Sequence, residues 1–355
     1  MKEINMAKPL PIEDLDFVLS YTRDLWAEMR GEQVFITGGT GFIGSWLVES
    51  FSHVNRVEGL GARAKILTRN PAAFLEKCPH LASDSSITFL IGDVRDFAFP
   101  VGYFKYVIHA ATESVARITP ISRIDMLNTI IRGTERVLDF ASTHGTSKLL
   151  LTSSGAVYGS QPSELMQLPE DFRGAPNALD PASVYGEGKR AAEHLCALYA
   201  AESKLECKIA RCFAFVGPHL ALDAHFAIGN FIRDVLQAKP IRILGDGTSI
   251  RSYLYAADLA VWLWSILFRG TSTRAYNVGS DQSVSIFELA QEVVATLRPE
   301  SRIEVLQKAL PEAPILRYVP ETKRSFEELG LKQRIDLRDA ILRTACWHGY
   351  QGKGA

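Results

Sequence analysis

Between a short apolar run at 34–37 and an amphipathic run from 42 lies Thr37-Gly38-Gly39-Thr40-Gly41-Phe42-Ile43-Gly44. Its glycines at 38, 41 and 44 have distinct uses. The first permits a tight turn, the second lets backbone approach a pyrophosphate, and the third lets the following helix pack close to the strand. A helix N-terminus placed here offers unpaired N–H groups and positive potential to phosphate. A glycine triplet alone is weak evidence. Its place after a strand, opening a helix and starting a repeated strand–helix series, is the context in which it reads as a dinucleotide site.

That series runs on down the chain. Continuous apolar runs at 34–37, 64–68, 87–91, 106–110, 148–152 and 207–212 read as strands buried on both faces. Helical patterns at 42–51, 126–142 and 182–203 separate some of them. The alternation predicts an α/β fold with a doubly wound parallel sheet. Before it, residues 11–30 carry helical spacing up to Gly31, which predicts a helical extension (1–30) packed on the main domain or on a partner. After Phe213 the alternation breaks down. Short β-like pieces at 241–244, 250–255 and 276–278 and helices at 285–297 and 337–347 predict a smaller region capping the sheet. The expected division is a cofactor-binding domain of 31–213 with 241–265, and a substrate-binding domain of 214–240 with 266–355.

Composition removes several classes of function. A formal charge of −1 lacks the basic footprint of a nucleic-acid binder. The apolar run 261–268 is far too short to span a bilayer, and the first residues lack a signal-peptide core, so no membrane partner and a cytoplasmic location are expected. Five cysteines, an odd number with no CxxC pair, predict a reduced chain without a zinc site; no metal is expected.

The chemistry concentrates in two segments. Tyr185 and Lys189 stand four apart on one helical face. A phenol ionises near pH 10, so a neighbouring ammonium and a cationic nicotinamide are expected to favour phenolate, making Tyr185 the proton acceptor or donor. Ser154 follows the fifth strand directly, at the end where sheet strands face their ligand. Ser154, Tyr185 and Lys189 over a nicotinamide constitute a hydride-transfer site; a Ser/His/Asp hydrolase is unsupported, as no GxSxG elbow is present. Asp93, after the third strand, is placed to accept from an adenine amino group. Thr68-Arg69-Asn70 ends the second strand without an acid, and Arg69 favours the 2′-phosphate of NADP(H) over NAD(H). His109, His219 and His225 are candidate site-lining residues, with a structural role the more common one.

With TGGTGFIG (37–44), GDVRD (92–96), HAATES (109–114), LTSSGAVYG (151–159), YGEGK (185–189), RCFAFVGP (211–218) and GDGTSIRSYLYAADLA (245–260) in this order, the chain resembles the extended short-chain dehydrogenase/reductase family, specifically its NAD-dependent epimerase/dehydratase group, from about 31 to 329. The resemblance implies a Rossmann-type fold and a nucleotide-linked sugar as substrate. It assigns cofactor contacts to Gly38, Thr40, Gly41, Phe42, Ile43, Gly44, Arg69, Asp93, Val94, Ala110, Ala111, Lys189 and Phe213. It makes Ser154, Tyr185 and Lys189 the catalytic trio, and Ser114, Asn230 and Arg251 substrate contacts, Arg251 gripping the diphosphate. It also implies a homodimer through the helices at 126–142 and 182–203, and it matches 317–324 (RYVPETKR) to a late arginine-containing segment.

Departures from the family pattern narrow the reaction. The group's 4,6-dehydratases carry Asp-Glu directly after the catalytic Ser/Thr, and its decarboxylases usually carry a glutamate there. This chain has Gly155-Ala156, neither of which titrates. Ala214 stands where many epimerases have Asn. Glu113-Ser114 resembles the dehydratase loop and points to a 6-deoxy sugar. Two reactions at C4 remain: reduction of a 4-keto-6-deoxy sugar by NADPH, which Arg69 favours, or 4-epimerisation with retained NAD. A cofactor-binding scaffold without turnover is the non-enzymatic alternative, against which the intact trio argues.

Overall fold

A computed structural model describes residues 8–112, 122–224, 226–310 and 314–352. Helix α1 (Ile12–Thr22) and a 3-10 turn (Arg23–Met29) come first. Then follow β1 (Gln33–Thr37), α2 (Phe42–Val57), β2 (Arg63–Thr68), α3 (Pro71–Lys77), β3 (Ile87–Ile91), β4 (Tyr106–His109), α4 (Arg123–Thr143), β5 (Lys148–Ser154), α5 (Val184–Glu202) and β6 (Glu206–Cys212). The remainder holds β7 (Phe215–Val216), α6 (Ala227–Leu236), β8 (Ile241–Ile243), β9 (Ile250–Ser252), β10 (Leu254–Tyr255), α7 (Ala256–Arg269), β11 (Ala275–Val278), β12 (Ser283–Ser285), α8 (Ile286–Leu297), β13 (Ile303–Val305), β14 (Arg317–Tyr318), α9 (Lys323–Leu329) and α10 (Leu337–Trp347).

Seven strands form one parallel sheet in the order β11-β6-β5-β4-β1-β2-β3. The sequence expectation of a doubly wound, Rossmann-type α/β sheet holds. The direction of winding reverses at β1, whose neighbours are β2 and β4, so a crevice opens beyond their carboxyl ends. One strand departs from the sequence expectation: 276–278 is expected in the capping region, whereas β11 closes the edge of the main sheet against β6. Its short polar-flanked run lacks the length of a buried strand, and only pairing with β6 reveals its membership.

Side chains alternate across β1 as strand geometry requires. Val34 and Ile36 join the core shared with α2 and α7, while Phe35 enters the opposite core and packs on Phe140 of α4 (ring centroids 4.6 Å). Residues 256–268 of α7 are buried along their whole length, which explains the run VWLWSILF as a core helix. The N-terminal extension covers α7: Trp26 packs on Trp264 at 4.6 Å and Asp14 accepts from the Tyr255 hydroxyl at 2.6 Å. The extension therefore packs on its own chain's main domain. Gly31 after it has φ +73°, a left-handed position that glycine fills without strain. No helix among the described residues is long and apolar enough to cross a membrane.

Outside the main sheet, β9 is the hub of a small three-stranded sheet, antiparallel to β12 and parallel to β14. This pairing places Tyr318 opposite Arg251 and carries both toward the carboxyl end of β5.

Candidate active site

The glycine loop closes as the spacing predicts. Gly38 has φ +71°, and a Cβ there would lie 2.4 Å from the Ala110 carbonyl carbon. A Cβ on Gly44 would lie 2.1 Å from the Gly38 oxygen, so Gly44 lets α2 seat against the turn. Gly41 meets only Gly38 O, at 3.5 Å, which leaves its outer face open for an approaching group. Gly41 caps α2, and the N–H groups of Phe42 and Ile43 stand in its first turn while their side chains pack on the core. Thr37 and His109 fasten the loop to the end of β4: Thr37 Oγ1 bonds His109 Nδ1 at 2.8 Å and accepts the Ala111 N–H at 3.2 Å.

A crevice of about 360 Å³ runs from this loop across the ends of β2 and β3. Gly38, Thr40, Gly41, Arg69, Asp93, Val94, Ala110 and Ala111 all line it, as the sequence reading expects. Thr112 also lines it, and its buried Oγ1 has no hydrogen-bond partner among the described residues. A narrow cradle with a steric ban at Gly38 and an unpaired buried hydroxyl fits a dinucleotide. At its far end Lys77 joins Arg69, while Asn70 caps α3 by accepting the Ala73 N–H. Asp93 departs from expectation. Both its oxygens are taken by Arg95, at 2.8 and 3.1 Å, and this pairing first of all holds its carboxyl below the usual range. An adenine amino group would have to share or displace Arg95.

Ser154, Tyr185 and Lys189 come together at the end of β5. The two glycines of YGEGK make this possible: a Cβ on Gly186 would lie 2.6 Å from the Ala156 oxygen, and one on Gly188 would lie 3.0 Å from Ile130. They let α5 press against the 155–158 turn and α4, at the propensity cost of glycine within a helix. Glu193, one turn beyond Lys189, accepts from Ser153 Oγ at 2.5 Å and pairs with Arg211 of β6 at 2.7 Å, locking α5 to the sheet.

The electrostatics of the trio differ from expectation. Burial pushes the Tyr185 phenol up to about 12, with a smaller opposing pull from Ser154. Lys189 is drawn down to about 8 by burial, and its Nζ donates to the Thr152 carbonyl at 2.8 Å, 5.9 Å from the Tyr185 ring centre. Desolvation therefore opposes the expected phenolate, and proximity to Lys189 alone does not offset it; the expectation also invokes a cationic nicotinamide. The Ser154 hydrogen bond and an added positive charge, such as an oxidised nicotinamide, act in the other direction.

Gly155 faces a wall that the sequence reading did not find. A Cβ there would lie 2.6 Å from Phe213 Cζ and 2.8 Å from the Tyr318 hydroxyl. The Phe213 and Tyr318 rings pack at 4.6 Å, and Tyr318 Oη lies 3.5 Å from Ser154 Oγ. Phe213 thus packs beside the trio and does not line the glycine-loop crevice. Asn230 and Arg251 line a second crevice of about 640 Å³ with Arg233, Lys239 and Arg242. There Arg233 donates to Asn230 Oδ1 at 2.9 Å, and Arg251 donates to its own Ile250 carbonyl at 2.8 Å. Ser114, with Glu113 and His225, lies outside the described residues.

The remaining histidines serve the fold. His109 is buried between Thr37 and Thr134, its pKa lowered to about 3 by desolvation. His219 and His80 both bond the buried carboxylate of Glu49, at 2.7 and 2.8 Å, and the Leu10 N–H adds a third bond at 2.8 Å. Glu49, Cys78 and His219 bring ligand-type atoms within 4.8 Å. The carboxylate is already saturated with donors and the Cys78 thiol is pushed up to about 12, so the cluster reads as a hydrogen-bonded knot.

A family model described as the NAD dependent epimerase/dehydratase family matches residues 34–279. UDP-glucuronic acid decarboxylase 2 of Arabidopsis thaliana is 28% identical over 318 residues, 89% of this chain and 68% of that protein. The chain resembles UDP-glucuronic acid 4-epimerase from Bacillus cereus, solved with UDP-glucuronic acid and NAD, at TM-score 0.72 and 21% identity, covering 89% and 98% of the two chains. It also resembles DesIV, a dTDP-glucose 4,6-dehydratase from Streptomyces venezuelae solved with NAD and DAU, at TM-score 0.75 and 22% identity, covering 89% and 96%.

Proposed function

Because the chain belongs to the NAD dependent epimerase/dehydratase family, we propose that it is an NAD(P)-dependent oxidoreductase acting at C4 of a nucleotide-linked sugar, as a reductase of a 4-keto-6-deoxy sugar. The observation that carries hydride transfer without elimination is the surroundings of Gly155, and Arg69 in the cofactor crevice favours the reductase over the epimerase. Beside Ser154 and Tyr185 there is no carboxylate at 155 or 156, and Phe213 and Tyr318 close on the glycine so that a side chain there would have to push the rings back. Elimination and decarboxylation through an acid or base at that place lack their titratable group; hydride transfer needs none. The named relative is a decarboxylase, so the proposal places this chain apart from it in reaction while keeping a nucleotide sugar as substrate.

In this reading Gly38, Gly41 and the first turn of α2 hold the pyrophosphate, and Arg69 with Lys77 receives a 2′-phosphate, which favours NADP(H). When bound, the nicotinamide supplies or accepts the hydride. Tyr185, a phenol at neutral pH, delivers its proton to the carbonyl oxygen as that oxygen gains charge, and Ser154 holds the oxygen in place. Asn230 and Arg251 take the nucleotide diphosphate in the second crevice. The cofactor-binding domain takes in 31–213 with about 241–265 and β11, the substrate-binding domain takes in the rest of the chain after 213, and two copies pair through α4 and α5. Denaturing the purified protein and weighing the released nucleotides tests the cofactor. No retained nucleotide, followed by saturable NADPH binding, supports the reductase. A second reading, 4-epimerase with retained NAD, draws on the NAD in both solved relatives. Release of stoichiometric NAD or NADH would replace the first reading with it.

A further inference from the structure

We propose that Tyr318 is a third catalytic hydroxyl, donating a hydrogen bond to the same substrate oxygen that Ser154 and Tyr185 hold. This rests on the hydride-transfer reading of the site. Four observations converge on it. Tyr318 Oη lies 3.5 Å from Ser154 Oγ, close enough for one oxygen placed between them to be within hydrogen-bond reach of both. Ser154 already accepts the Ala156 N–H at 3.1 Å, which leaves its own hydrogen to donate outward. The Tyr318 ring is held against Phe213 at 4.6 Å with an interplanar angle of 34°, a fixed platform for its hydroxyl. Its backbone pairs with Arg251, which lines the second crevice, so Tyr318 stands on the strand pair between the nucleotide crevice and the trio.

Gly155 supplies the complementary fact. It lies outside the left-handed region, so no backbone angle demands glycine; the demand comes from the two rings, including the Tyr318 hydroxyl at 2.8 Å from a would-be Cβ. The space vacated at 155 is the space Tyr318 occupies. Burial raises the Tyr318 phenol above its ordinary range, so it keeps its proton and serves as a donor and never as a base. A carbonyl oxygen that becomes an alkoxide during hydride delivery is then met by Tyr185, which transfers its proton, and by two fixed donors, Ser154 and Tyr318. Donors fixed before reaction and aimed at developing charge are the effective kind, because they pay no reorganisation as the charge forms.

The test is Tyr318→Phe in the full chain, which keeps the ring and removes one oxygen. Turnover is followed at 340 nm with NADPH and dTDP-4-keto-6-deoxyglucose, and by product chromatography with UDP-glucose and UDP-glucuronate. The expected result is a fall in kcat of roughly 100- to 1,000-fold, with KM, NADPH affinity and melting temperature close to wild type. A kcat within twofold of wild type overturns the proposal. Ser154→Ala and the double variant separate direct from indirect action: losses that multiply support contact with substrate, whereas a double variant no slower than Ser154→Ala makes Tyr318 a positioning residue for Ser154 and overturns it. Tyr185→Phe is the control. If it too retains turnover, the hydride-transfer reading itself fails; if it is inactive while Tyr318→Phe is not, only the role of Tyr318 falls.

Discussion

Gly155→Ala adds a single methyl group at the point where the reaction is decided. Its Cβ would stand 2.6 and 2.8 Å from two Phe213 ring carbons and 2.8 Å from the Tyr318 hydroxyl. Ordinary carbon contacts lie near 3.5–4.0 Å, so the rings must retreat by about 1 Å. Overpacking of this kind costs roughly 1–3 kcal/mol. Because Gly155 is not at positive φ, the substitution also recovers about 0.4–1 kcal/mol by restricting the unfolded chain. The net loss is about 0–2.6 kcal/mol, a drop of at most a few degrees in melting temperature for a chain of this length. Turnover should suffer out of proportion, because the retreating rings draw Tyr318 away from Ser154. Thermal denaturation and steady-state kinetics on the same preparation check both parts. A Gly155→Ala protein with unchanged melting temperature and unchanged kcat would refute the packing argument.

Tyr185→Phe is expected to lower turnover by at least 100-fold while leaving cofactor affinity intact, as measured by nucleotide titration. Glu49→Ala strands the donors of His219, His80 and Leu10 around a buried position; the expected loss is about 3–5 kcal/mol, read from the urea midpoint, with Glu49→Gln less damaging because it keeps one acceptor. His109 supplies a pH signature. Its folded pKa is about 3 against an ordinary 6.5, so the unfolded chain binds the extra proton between those values and stability falls as pH drops below 6.5. The loss reaches about 2 kcal/mol at pH 5, and a His109→Gln protein should show a flatter acid limb over pH 5–6.5.

Much of this protein is written in short-range spacing. A turn that needs φ +71° at Gly38, and a helix that needs close contact at Gly44, leave glycine as the residue that fits. Buried strands need continuous apolar runs, and a shared helical face needs Tyr185 and Lys189 four apart. Each is a constraint among neighbours in sequence, so the dinucleotide cradle, the α/β sheet and the trio were legible without coordinates. Only tertiary packing could set the rest. Tyr318 lies 164 residues from the serine it meets, and nothing local to RYVPETKR singles out its tyrosine over its arginines. The strand β11 is too short to read as core until β6 pairs with it. The energy balance at Tyr185 is likewise set by tertiary packing. Spacing gives proximity to Lys189, but the energy of a buried phenol depends on how much water the whole fold excludes, and that is a property of chain segments brought together from everywhere in the molecule.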